Sequence, residues 1–423
     1  MAPNALHDSG HIVDQPKCYP GTRVAIIQTI IDWIAGENKA NRDKFFTWLT
    51  GAAGAGKSAI GRSVCERCKK EETLLASFFF GARDSTRNHS HSFIATIAYQ
   101  ICSISQELRT AVSDAIESDP LVFSHSLQTQ LKSLVMDPLL ANYANKPQRA
   151  PCLIVVDGLD ECLDQSSQRD ILDVLLSFAT MSPIPIRILV CSRKENHIVT
   201  MFSAIKMSAL LFTILLDDQY SSRDDIEHYL NHQFRKIRET HIFKASIPDP
   251  WPTKEQLNHL TRKSSGQFIY ASTVIGYVES PYYMPQQRLN AVLGLRPPFK
   301  DLPFSELDVL YLHLLNSTDN PSIAADVMAY VALHDNMVPK EIDTLLALES
   351  GETEVCLSRL AAIADVKSQW SSEFSTARLL HKSFEDFLFD SDRSKELFRS
   401  KIETKARHAL RMIEIFSGKI FVQ

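Results

Sequence analysis

Five short stretches in the first half of the chain are almost continuously apolar: FFTWLT (45–50), LLASFFFG (74–81), CLIVVD (152–157), RILVCS (187–192) and ALLFTILL (209–216). Runs of this length, rich in β-branched and aromatic residues and lacking polar alternation, read as strands covered on both faces. Helical patterns separate them, so the expected fold class is α/β, a parallel sheet with helices on both faces. The longest run, 209–216, falls well short of the roughly 20 residues a membrane helix needs, and is expected to be a buried strand. A long, mostly helical insertion, roughly 92–140, precedes CLIVVD.

From about Ser222 the strand pattern disappears and helical periodicity follows to about residue 362. In SELDVLYLHLLNS, for example, Leu307, Leu310, Tyr311, Leu314 and Leu315 share one face. The proline-rich pieces SIPDPWPT and GLRPPFKDLP read as joints between helices. Near the end, two short helices precede the β-compatible pieces AIADV and TARLL, an order that suggests a winged helix. The expected division is 1–40, a segment and helix leading to the site; 41–221, the α/β domain; 222–320, a helical domain; 321–392, a winged-helix domain; and 393–423, a helical tail, read as either the end of an isolated module or a truncation. No repeat of period 20 to 50 is evident.

The first apolar run leads into GAAGAGKSAI, which fits the phosphate-loop pattern G-x-x-x-x-G-K-[ST] with Gly51, Gly56, Lys57 and Ser58 at its fixed positions. Small residues let the backbone N–H groups of Ala53, Gly54, Ala55, Gly56 and Ala59 approach a polyphosphate. Lysine reaches the β- and γ-phosphates, and the serine hydroxyl ligates Mg²⁺. A flexible linker is the alternative, but strand, loop and helix stand here in the required order, and the helix start adds partial positive charge.

CLIVVDGLDEC ends its strand on Asp157, where a carboxylate would hold magnesium beside Ser58. Asp160 and Glu161 follow. Either could orient or deprotonate an attacking water, with Glu161 favoured as general base; capping of the next helix is the structural alternative. Arg193 leaves the next strand at the same edge, placed to contact a γ-phosphate, or else to pair with a surface acid.

Composition narrows the partners more than the chemistry. With 44% hydrophobic and 22% charged residues the 423-residue chain is an ordinary globular sequence. Net charge of −5 and a pI near 6.3 argue against a nucleic-acid or anionic-membrane partner. The start of the chain has no charged and apolar leader pattern, and eight cysteines show no disulfide spacing, so a reducing, cytoplasmic setting is expected. Cys65-x-x-Cys68 lacks a second pair at zinc spacing. His89 and His91 read as a polar helix start.

Together, the phosphate loop, DGLDE and a strand ending in SR resemble the NACHT family of signal-transducing NTPases, the group that includes fungal incompatibility proteins and nephrocystin-type modules. KCYPGTR, FIATIAYQI, SSGQFIYASTVIGYV and LLHKSFEDFLFD extend the resemblance over about residues 5–390. It implies a P-loop NTPase domain, a helical domain and a winged helix, with ATP or ADP and magnesium as ligands. Thr22 and Arg23 would close over adenine and ribose, and His381 would touch the β-phosphate of ADP and lock the resting state; from composition alone His381 reads as a core or capping histidine. The chain departs from plant-type relatives at Gly266-Gln267-Phe268, where a Gly-x-Pro proline would pack on adenine. The implied function is a switch, closed with ADP and opened by ATP, reset by slow hydrolysis. It would act in fungal innate-immunity or incompatibility-like signalling, through self-association or a signalling partner. A P-loop phosphotransferase and a nucleotide-holding scaffold that never hydrolyses are the alternatives.

Overall fold

The computed structural model describes residues 1–9, 17–51, 54–82, 84–143, 152–181, 184–216, 222–294, 305–334, 337–369, 371–380 and 382–417. They divide into two compact units, Met1–Tyr220 and Ser221–Gln423.

The first unit contains α1 (Val24–Ala35), β1 (Phe46–Gly51), α2 (Lys57–Lys70), β2 (Leu74–Phe79), α3 (Phe93–Cys102), α4 (Gln106–Ser118), α5 (Leu127–Leu131) and α6 (Asp137–Tyr143). It continues with β3 (Cys152–Asp157), α7 (Gln165–Met181), β4 (Ile186–Ser192), α8 (Asn196–Ser203), α9 (Ile205–Ser208) and β5 (Leu211–Leu216). The strands form one parallel sheet in the order β2-β3-β4-β1-β5. Parallel neighbours need long crossovers, and the helices supply them. Side chains alternate between faces, so each strand feeds two cores. Leu49, Leu153, Val155, Leu189 and Cys191 pack with α1 and α2. Phe46, Trp48, Ile154, Val156, Ile188 and Val190 pack on the opposite side with α3, α7 and α8.

The expected strands are found to within two residues at each end, and β3 matches its predicted bounds. One expectation fails: β5 is not a buried strand. Only Ile214 and Leu216 are buried in it, while Thr213 and Leu215 are exposed. It pairs with β1 alone at the rim of the sheet, where a continuous apolar run loses its cover on one side. The opposite rim, β2, is covered by the first residues of the chain. Ala2 and Ala5 are fully buried there, and the Ala2 N–H donates to Thr96 Oγ1 at 2.8 Å.

The second unit contains α10 (Ser222–Thr240), α11 (Lys254–Lys263), α12 (Phe268–Val278), α13 (Pro285–Gly294), α14 (Ser305–Asn316), α15 (Pro321–Leu333), α16 (Pro339–Leu346) and α17 (Glu352–Arg359). An antiparallel hairpin of β6 (Ala364–Gln369) and β7 (Ser371–Leu379) comes next, then α18 (Lys382–Leu388), α19 (Ser391–Ser394) and α20 (Lys401–Phe416). The face read from α14 holds residue by residue: Leu307, Leu310, Tyr311, Leu314 and Leu315 are all buried in one core. Two short helices do precede two strands, as the sequence order predicts. Most of the second proline-rich joint lies outside the described residues. No helix among the described residues is long and apolar enough to cross a membrane.

Candidate nucleotide site

Strand β1 ends at Gly51, and α2 begins at Lys57, leaving the phosphate loop between them at the carboxyl edge of the sheet. A Cβ at Gly51 would stand 2.9 Å from the Leu216 Cβ, so the close approach of β5 demands glycine. Gly54 and Gly56 have φ of 74° and 91°, left-handed values that glycine adopts without cost. Gly56 also caps α2 without a side chain, which leaves the first amides of that helix facing the loop. The Lys57 ammonium donates to the Gly51 carbonyl at 2.8 Å. Burial pulls its pKa below the ordinary lysine value, and the carboxylates of Asp160 and Asp157 oppose that shift. Ala55 is buried beside the loop, and Ala59 sits in the first turn of α2, its carbonyl accepting the Ser63 hydroxyl. Ala53 lies outside the described residues.

Because β4 stands between β1 and β3, the carboxyl ends of three adjacent strands bring the remaining groups to the same edge. Asp157 ends β3 and is 4% exposed. Burial pushes its pKa up to about 6, against the opposing hydrogen bond from the Ser58 hydroxyl and the charge of Arg62. Its Oδ1 has no hydrogen-bond partner among the described residues. An oxygen-rich pair of this kind, with one buried carboxylate oxygen unspent, fits a hard divalent cation such as magnesium.

Past Asp157, Gly158 (φ 70°) turns the chain into a single 3₁₀ turn, Leu159–Glu161, which separates the next two acids. Asp160 points to β4: its Oδ1 accepts the Arg193 N–H at 3.1 Å, and its Oδ2 lies 3.3 Å from Arg193 Nε. Glu161 points to the end of β2, its Oε2 accepting the Ala82 N–H at 3.2 Å.

The upstream segment runs along α2. Cys18 N–H donates to Ser63 Oγ, Lys17 pairs with Glu66, and Arg23, buried and left-handed with φ of 56°, donates from Nη2 to the Ala55 carbonyl at 3.0 Å. Arg23 thus braces the phosphate loop itself. Thr22 is buried, and its hydroxyl donates to the Tyr19 carbonyl at 2.7 Å, which closes the turn before α1. His381 lies outside the described residues.

Arg62 is a group that the motif pattern does not mark. It lies one turn past Ser58 on α2, 2% exposed, with its guanidinium 4.2 Å from the Phe79 ring centroid and Nη1 donating to the His7 carbonyl at 3.1 Å. Burial lowers its pKa to about 10, and Asp157 opposes the shift. The i+4 spacing from the serine was the available signal. Cys65 and Cys68 are buried free thiols whose pKa values burial raises, which is the wrong direction for redox or metal chemistry. No group of three or more His, Cys, Asp or Glu residues among those described could hold a metal ion. The His89 and His91 rings meet at a tilt of 49°, with centroids 4.8 Å apart, in the turn before α3.

Residues 24–193 match the family model described as nephrocystin 3, N-terminal. No curated protein matches the sequence. Among solved structures, similarity extends to a signal transduction ATPase with numerous domains and a tetratricopeptide repeat sensor, from Pyrococcus horikoshii. That match has 11% identity and a TM-score of 0.48, covering 95% of this chain and 46% of the other, so this chain spans about half its length. The ORC2 protein of Aeropyrum pernix, in ADPNP and ADP complexes, is similar at 14% identity and a TM-score of 0.42, over 96% of this chain and 98% of that one. Drosophila ORC bound to DNA is similar at 13% identity and a TM-score of 0.36, over 85% and 92%.

Proposed function

We propose that residues 24–193, which match the nephrocystin 3 N-terminal model, form a NACHT-like P-loop NTPase module, and that the chain is a nucleotide-dependent signalling switch that takes ADP and ATP with magnesium and hydrolyses ATP slowly. The observation that carries this reading is the convergence of Lys57, Ser58, Asp157, Asp160, Glu161 and Arg193 at one edge of the sheet, on three adjacent strand ends.

In this reading the backbone of residues 51–59 cradles the phosphates, and Lys57 moves from the Gly51 carbonyl to the β- and γ-phosphates. Ser58 and Asp157 would hold magnesium, which would supply positive charge to offset that building on the phosphate oxygens. Glu161 is the general base. Asp160 is already engaged by both the backbone and the guanidinium of Arg193, which supports a different role for it, that of holding the arginine toward the γ-phosphate. Arg23 acts on the nucleotide through the loop carbonyl of Ala55. The helical segment 222–320 and the winged helix 321–392 are the parts we expect to respond to the nucleotide, with a second copy or a signalling protein as the partner of the ATP form.

Mass-spectrometric identification of nucleotide released from the purified protein tests this. Bound ADP, and a change in size when it is exchanged for a slowly hydrolysed ATP analogue, are the expected results. A nucleotide-free protein with no measurable affinity for either nucleotide would overturn the proposal.

A further inference from the structure

The loop that follows β2 carries a cluster of contacts that the nucleotide motifs do not account for. Its centre is Arg87, whose side chain is 14% exposed. Nη1 donates to the carbonyls of Phe79, the last residue of the strand, at 3.0 Å and of Phe80, just past it, at 3.4 Å. Nε donates to Asp84 Oδ2 at 2.9 Å. Asp84 is held in turn by the Thr86 N–H and hydroxyl and by Asn4 Nδ2 at 3.1 Å, which ties the loop to the segment covering β2.

The guanidinium lies flat against Gly81. A Cβ there would come within 2.7 Å of Arg87 Cζ and 2.8 Å of Nη2. The next residue is held at both of its backbone polar groups: the Ala82 carbonyl accepts from Asn88 Nδ2 at 3.3 Å, and its N–H donates to Glu161 Oε2 at 3.2 Å. Asn88 also takes the Leu163 N–H on its own carbonyl, so the loop is stitched to the segment immediately after Glu161.

We propose that Arg87 is a positioning residue: by capping the end of β2 and packing against Gly81, it presents the Ala82 N–H that aims the Glu161 carboxylate. This rests on Glu161 being the base of the proposed ATPase. In this role Arg87 acts through the Ala82 amide and not on the nucleotide itself. A carboxylate that must take a proton from water works only within a narrow range of direction and distance, so a shift of the Ala82 peptide lowers turnover and leaves nucleotide binding alone.

Gly81→Ala tests this without removing any functional group. The new methyl meets the far end of a flexible side chain, so the fold adapts by displacing the Arg87 guanidinium. Steady-state ATPase rates and nucleotide affinities are measured for Gly81→Ala, Arg87→Ala and the double variant. Each single variant is expected to lower kcat about tenfold with ATP and ADP affinity within about twofold of wild type. The double variant is expected to be no slower than Arg87→Ala, because the methyl then has nothing to displace. Wild-type kcat in Gly81→Ala, or equal losses of affinity and rate, overturns the role of the loop alone. Wild-type protein that binds nucleotide and never turns it over overturns both the base and its positioning.

Discussion

The two units bury polar groups to different ends. In the second, several buried polar groups are matched to one another. Arg393 makes a forked contact with Asp308 through Nε and Nη2, the shortest distance being 2.6 Å, and the Tyr311 hydroxyl meets Ser383 Oγ at 2.8 Å. Asp343 caps two amides, those of Gly351 and Thr353. At the sheet edge of the first unit, Asp157 keeps a buried oxygen without a partner among the described residues, and Lys57 donates to a neutral backbone carbonyl. Matched groups hold a fold together; a buried carboxylate oxygen left without a partner at a strand edge costs stability and is ready for a ligand.

Breaking a matched pair is expected to have the largest effect on stability. Arg393→Met strands Asp308 in a site where burial already raises its pKa, so the second unit should lose about 3 to 4 kcal/mol in urea unfolding. Nucleotide affinity should not change. A parallel loss of ADP binding would mean the two units are not divided as the comparison holds.

Asp157 sharpens the contrast through pH. Its folded pKa, about 6, lies above the ordinary carboxylate value of 3.8, so folding favours the protonated form. The associated stability is full below about pH 4 and is lost as pH rises through about 6, by about 3 kcal/mol for a shift of this size. Asp157→Asn should flatten the stability profile between about pH 4 and 7 while removing the magnesium dependence of ATP binding. An unchanged profile would show that the carboxylate is not costly.

Lys57→Ala should reduce ATP affinity about 100-fold, or about 2.7 kcal/mol, with little change in thermal stability, since burial of the ammonium is itself a cost that the alanine removes. Wild-type affinity in titration calorimetry would move the site elsewhere.

The smallest effect belongs to His334 and His408, which meet at 2.8 Å between α15 and α20. Burial lowers both pKa values, so the second unit should lose stability as pH falls below about 6.5, the range in which the unfolded chain takes up protons first. The positive charge of Lys405 lowers the His334 pKa further. His408→Leu should remove that slope.

Much of the first unit was legible in the sequence. Continuous apolar runs located the five strands, the glycine pattern located the loop, and the acids after β3 and the arginine after β4 were placed at one edge by the parallel topology alone. In the second unit, helical periodicity picked out the buried side of α14 correctly. The pairing of Asp160 with Arg193 was not legible, nor were the bracing of Ala55 by Arg23, the place of Arg62 behind Asp157, or the cover that residues 2–9 give to β2. Each joins residues at least 32 positions apart.

Local pattern is written in the chain because side-chain spacing fixes which face of a strand or helix is apolar, and because a glycine-rich turn has few other uses beside a strand and a helix. Whether a strand ends up central or at a rim is not local. β5 carries as apolar a run as β3, yet two of its six residues, Thr213 and Leu215, are exposed, because strand order rather than composition decides how many neighbours it receives. The same holds for charge. The sequence supplied three carboxylates within five residues, and only the folded chain assigned one to Arg193, one to the Ala82 amide and left one with an unspent oxygen, since hydrogen bonds are short and directional and their partners come from other strands.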